Sequence, residues 1–180
     1  MVFTHDTESS LQAAVELANS VLDPDTLTTT DALTQFVDRW GYSGRHDGTE
    51  IELAEVRAIR PQLRSLLTAG RDAAAEQVNT LLAEAPALPQ LARHGIHDWH
   101  IHAVAPGASL AVQILVETAM AMVDVIRSDD MSRLAVCADA TCEGVVLDLS
   151  RNRSRRFCST ACGNRNAVAA YRARQAELQG

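Results

Sequence analysis

Four cysteines stand within 26 residues of a 180-residue chain that has no others: Cys137, Cys142, Cys158 and Cys162, spaced C-x4-C, fifteen residues, C-x3-C. Cys158 and Cys162 are four apart, which on the first turn of a helix puts both sulfurs on one face. Cys137 and Cys142 bracket a short turn containing Asp139. Two such pairs offer the four thiolates of a closed, tetrahedral structural zinc site, with no position left for a reactive water. Two disulfides, buried free thiols and iron–sulfur ligation are the other uses of four cysteines. The first twenty residues lack the basic start and unbroken apolar core of a secretion signal. A cytoplasmic, reducing location is therefore expected, where disulfides are rare, and the paired spacing favours one structural Zn2+.

The residues between the pairs must position the sulfurs. Val145, Val146, Leu147 and Leu149 form a short strand-like run, and Arg151 to Arg156 then holds four arginines in six residues, a solvated loop or hairpin arm. Ser159 or Thr160 can cap a helix that starts around Cys158 and runs past Arg172. Knuckle, strand pair and helix make a treble-clef-like unit. It is too small to fold on an apolar core alone, so metal removal should unfold it.

Charge gives this unit a second property. Residues 137–180 hold seven arginines against four acids, a formal +3, whereas residues 1–136 carry a formal −10. Four zinc-bound thiolates would bring the unit to roughly +1. Every basic side chain is arginine, which suits bidentate contact with phosphates or guanine edges. Arg151, Arg153, Arg155 and Arg156 precede the second cysteine pair, and Arg165 and Arg172 lie seven apart on one helical face. A continuous cationic stripe that meets nucleic acid is expected from them; solvation, or pairing with the acidic remainder of the chain, is the plainer alternative. Gly163 reads as a point of close packing beside a ligand cysteine. Asn164 can bond the thiolates, a loop or an adenine edge.

FCSTACGNR, preceded by LDLSRNRSRR, resembles the signature of the CGNR zinc finger, named for Cys162, Gly163, Asn164 and Arg165. CADATC resembles that finger's first cysteine pair. In that family the finger follows a domain called ABATE, and the proteins are described as stress-induced transcription regulators of bacteria. The resemblance implies that Cys137, Cys142, Cys158 and Cys162 bind zinc and that the CGNR turn with its flanking arginines faces double-stranded DNA.

Toward the N-terminus, 47% apolar residues with only 4% aromatic leave packing to alanine, leucine and valine, which favours helices. Helices are expected over Glu8–Leu22, with Ser9 and Gln12 as a capping box, and over Thr30–Trp40, stopped by Gly41. A third begins at Thr49 and divides near Ile59 because Pro61 lacks an amide proton; a fourth spans Asp72–Ala85. His97–Val104 alternates as a strand. Ser109–Arg127 is the longest helix; Gln113, Glu117 and Asp124 interrupt it too often for a membrane span. Arg133–Val136 leads into the first cysteine as a strand. So short an approach leaves no flexible linker, and the finger should pack against the preceding domain.

His94, His97, His100 and His102 fall within nine residues, yet no H-E-x-x-H pattern accompanies them. A ligand pocket around Trp99, His100 and His102 is the better expectation. No phosphate-binding glycine loop, serine elbow or dinucleotide fingerprint occurs, so the chain reads as a non-enzyme. The expected architecture is a predominantly α-helical α+β N-terminal domain with a small β element, residues 1–132, followed by a treble-clef-like zinc finger with four cysteine ligands and a C-terminal helix, residues 133–180. The expected function is a bacterial transcription regulator binding DNA through the finger's arginines, its N-terminal domain receiving a small-molecule or protein effector. The alternative is a zinc-stabilised module that binds protein or RNA. One small finger offers little surface for specificity, so a homodimer is expected, with the long apolar helix as its candidate surface.

Overall fold

The structure, a computed structural model, describes residues 3–93, 99–105 and 107–178. Its hub is α6 (Leu110–Arg127), which starts behind Ser109 and buries Leu110, Ile114, Met122 and Val125 almost completely. Around it pack α1 (His5–Asn19), α3 (Glu50–Ala58) and α5 (Arg71–Glu84), while α4 (Arg60–Thr68) lies on α1 and α5. Each buried aliphatic side chain of this kind contributes about 1.5–3 kcal/mol relative to exposure. Polar links also reach α6: Thr7 Oγ1 of α1 donates to Asp124 Oδ2 at 2.5 Å, and Arg71 of α5 donates to the Ile126 carbonyl at 2.8 Å. No helix among the described residues is long and apolar enough to cross a membrane. Because α6 spends its apolar residues on its own core, it does not present the dimer surface expected of it.

Local punctuation explains most boundaries. α2 spans Thr30–Trp40; Thr29 accepts from the Ala32 amide, and Gly41 ends the helix in the left-handed conformation at φ 69°. Thr49 caps α3 by accepting from the Glu52 amide. The Glu52 carboxylate does not return to Thr49; it accepts from the Asp47 and Gly48 amides and meets His46 Nδ1 at 2.8 Å, so it organises the preceding loop. Pro61 falls in the first turn of α4, dividing the two helices where its missing amide proton costs least.

Two expectations shift. α1 begins at His5 and ends at Asn19, so Ser9 lies inside the helix; Glu8 instead reaches back to the Phe3 amide at 3.1 Å. Of the expected strand over His97–Val104, the described residues place His100–His102 in β2, which pairs antiparallel with β1 (Gln90–Ala92) in the register Leu91↔Ile101. The three residues of β1 are too few to show alternation, which is why the sequence hid them. His94 and His97 lie outside the described residues.

After α6, a 3₁₀ turn (Met131–Arg133) leads into β3 (Leu134–Val136), antiparallel to β4 (Val145–Leu147) with Leu134↔Leu147 and Val136↔Val145 paired. Leu134, Val145 and Leu147 belong to the same apolar core as the helices. The hairpin therefore docks on α1 and α4 with no linker between. Asn19 seals the contact, donating to the Val145 carbonyl at 2.8 Å and accepting from its amide at 2.7 Å. Arg64 of α4 donates to the Glu143 carbonyl. The chain closes with α7 (Thr160–Glu177), whose first turn alone, among its described residues, is buried, at Cys162.

Candidate metal centre and its cationic surround

The antiparallel hairpin delivers the first cysteine pair. The Cys137 amide donates to the Gly144 carbonyl at 2.7 Å, closing a knuckle in which the Cys142 amide donates to the Asp139 carbonyl. Asp139 Oδ1 accepts from the Thr141 amide and hydroxyl at 2.9 and 2.8 Å, an Asx turn that fixes the loop between the ligands. The second pair rides on the start of α7, where Ser159 accepts from the Cys162 amide at 3.2 Å.

These elements bring the four sulfurs within 4.8 Å of one another. Cys142 and Cys158 Sγ are 3.5 Å apart and Cys158 and Cys162 Sγ 3.8 Å. A disulfide needs about 2.05 Å, whereas a tetrahedron with Zn–S bonds of about 2.3 Å has edges of about 3.8 Å. The donor set fits a zinc ion in size and chemistry. Burial pushes the Cys142 and Cys158 thiols up, so a cation is what would hold the set as thiolates. Backbone and side-chain N–H groups already face the sulfurs: Gly144 toward Cys142 at 3.3 Å, Cys158 toward Cys137 at 3.4 Å, Arg165 toward Cys162 at 3.3 Å.

Gly144 is required by close approach, since a Cβ there would stand 2.7 Å from Cys158 Sγ. Gly163 is not: its nearest neighbour would be Phe157 at 3.6 Å, an ordinary contact, so the expected packing role of this residue is corrected. Asn164 is exposed, whereas Asn166, not foreseen, donates to the Cys162 carbonyl at 2.9 Å.

The arginines divide into two sets. Arg165 donates to Asp139 Oδ2 at 2.7 Å and so ties α7 to the knuckle; the Thr141 donors, with this guanidinium, draw the Asp139 carboxyl down to about 2. Arg153 reaches Asp130 at 2.5 Å and Ser132 at 2.7 Å. Arg155 donates to the carbonyls of Leu147, Phe157 and Cys158, and its amide donates to Asp148 at 2.6 Å. The side chains of Arg151, Arg156 and Arg172 are exposed and make no hydrogen bond or ion pair among the described residues, and that of Arg174, not foreseen, is like them; the Arg156 carbonyl accepts from the Ala138 amide at 2.9 Å. The expected stripe is thus interrupted: three of its six cations hold the finger together and three face solvent.

Trp99 is 62% exposed and Ile101 47%, so the β1–β2 hairpin presents apolar surface to solvent; His102 is partly buried and engaged. A cleft of about 480 Å³ lies elsewhere, between α1 and the finger, lined by Gln12, Glu16, Asn19, Asp148, Arg155 and Cys158 among others. Sequence reading missed the residues that seat the finger, Asn19, Arg64 and Arg133. Arg133, buried, donates to the carbonyls of Asp148 and Ser150. The Asp-x-Thr at 139–141 and Asp-x-Ser at 148–150 were legible signals of the two Asx turns.

Comparison with known families returns two matches in chain order. The ABATE model, described as "Putative stress-induced transcription regulator", matches residues 11–129, and the CGNR zinc finger model matches residues 133–175. No curated protein matches the chain.

Proposed function

The chain belongs to the ABATE family and carries a CGNR zinc finger behind that domain; from this premise we propose that it is a transcription regulator that holds one structural zinc ion on Cys137, Cys142, Cys158 and Cys162 and meets duplex DNA with the outer face of its finger. The observation that carries the proposal is α7. It leaves the cysteine cluster with its first turn anchored, then extends with no buried side chain among its described residues, bearing Arg165, Arg172 and Arg174. A solvent-exposed cationic helix fits the major groove, where arginines read phosphates and guanine edges. Arg151 and Arg156 on the adjoining loop add backbone contacts. The helical domain, packed against β4, is the proposed receiver of an effector, in a cytoplasmic setting.

The test is binding of the zinc-loaded chain to DNA from its own upstream region at two salt concentrations. Changing Arg151, Arg156, Arg172 and Arg174 to alanine should abolish salt-sensitive binding while zinc content and helicity persist, because each lost phosphate contact lowers the salt slope by about one. Changing Arg153 and Arg155 should destabilise the finger first.

A second reading has its own observation. Val168, Tyr171 and Leu178 are exposed at three- and seven-residue spacing along α7 and its C-terminal cap, at 48, 57 and 80%, an apolar stripe of the kind that seats in a protein groove. If wild-type protein binds no duplex at low salt, the zinc-stabilised module that binds protein becomes the better account.

A further inference from the structure

The four sulfurs are not equivalent. Cys137 and Cys162 are buried, whereas Cys142 and Cys158 are partly exposed. An N–H group points at Cys137, Cys142 and Cys162, from the Cys158 amide, the Gly144 amide and the Arg165 guanidinium respectively. Among the described residues none points at Cys158 Sγ, whose polar neighbours are Cys142 Sγ at 3.5 Å and Cys162 Sγ at 3.8 Å. Cys158 also borders the cleft of about 480 Å³ beside α1. A hydrogen bond donated to a thiolate disperses its charge and lowers its nucleophilicity. The sulfur without such a donor, on the wall of an open cleft, keeps the most.

We propose that Cys158 is a modification site, the sulfur at which hydroperoxides enter the metal centre, with Cys142 as its resolving partner. The Cys158 thiolate attacks one peroxide oxygen; the O–O bond breaks, and the departing alkoxide or hydroxide takes a proton from water. Cys158 becomes a sulfenic acid, oxidised by two electrons as the peroxide is reduced. The Cys142 thiolate then attacks the Cys158 sulfur, an S–S bond forms, and the expelled hydroxide takes a second proton. The site loses two of its four ligands, releases its metal, and α7 loses its anchor. This step rests on the zinc reading above and not on contact with DNA.

The experiment uses the full-length, zinc-loaded protein with limiting hydrogen peroxide or limiting N-ethylmaleimide. Metal release is followed with a chromogenic chelator, and the modified sulfur is located by peptide mass mapping. Cys158 should be alkylated first, and peroxide should give a Cys142–Cys158 disulfide in step with metal release. The Cys158→His variant, which retains a zinc-competent donor, should release metal on the order of tenfold more slowly. In Cys142→His, the Cys158 sulfenic acid should persist and be trapped by a 1,3-diketone. Should Cys158→His fail to hold zinc, the wild-type map decides. A wild-type chain that takes up no zinc fails the metal reading itself. One that holds zinc but labels evenly, or first at Cys137 or Cys162, overturns the assignment of Cys158 alone.

Discussion

Two helices of this chain have the same length and opposite fates. Both α6 and α7 run for eighteen residues. α6 buries ten of them in the core it organises, whereas α7, among its described residues, buries only Cys162. Most helical stability in proteins comes from tertiary contacts and not from propensity. The first is therefore stabilised by the packing of its flanks, and the second by what nails down its first turn: the Ser159 cap, Arg165 on Asp139, and two cysteines in a four-sulfur cluster. One helix builds the molecule; the other is free to present a surface.

The largest effect should come from removing metal. A chelator should melt α7 and the knuckle while the helical domain stays folded, with a loss of roughly a fifth of the helical far-UV signal, because metal binding here is folding free energy. Loss of most of the helix signal would mean that the domain depends on the finger, and the contrast would break.

Next in size is a truncation on each helix. Ile114→Ala on α6 should cost about 2–5 kcal/mol in chemical denaturation, while Val168→Ala on α7 should stay within about 0.5 kcal/mol. Comparable costs would show that α7 has a hidden packing partner.

In the helical half the acid probe is Asp25, whose carboxyl is held below its usual range, chiefly by the buried Arg60 guanidinium at 2.9 Å. A depressed carboxylate contributes stability that is present above the unfolded-state value and lost as pH falls through the folded one. Asp25→Ala should therefore cost about 1–3 kcal/mol at neutral pH, since it leaves the buried Arg60 without this partner, and the gap to wild type should close below about pH 4. A gap independent of pH would remove the ion pair from the account.

The smallest comparison is between two glycines of the finger. Gly144→Ala should lower metal affinity on the order of 10–100-fold by pushing on Cys158, as changes beside metal ligands do. Gly163→Ala should be tolerated and stabilise α7 by about 0.5–1 kcal/mol through helix propensity. Metal competition and thermal melts separate the two, and the reverse order would restore the packing role to Gly163.

What the sequence displayed was punctuation. Gly41, Thr49 and Pro61 mark helix ends because caps and missing protons act within a few residues, and the cysteine spacing speaks for itself in the same way. What it hid was pairing at a distance. Asn19 meets Val145 across 126 positions, and Arg153 and Arg165 find Asp130 and Asp139 only once the hairpin has docked. An arginine count could not tell a cation that fastens the finger from one that faces outward. Gly163 was misread because proximity in sequence to a ligand does not state which atoms crowd it.

The Asn19 clasp bears on how such a chain could be inherited. By pairing both polar groups of Val145, one side chain stands in for a third strand and covers the open edge of the β3–β4 hairpin. A recombination event that moved the finger alone onto another scaffold would carry the bare edge away from the helix that covers it. Shuffling should thus favour exchange of bundle and finger as one piece, and a transplanted finger would arrive inclined to stick to its own kind.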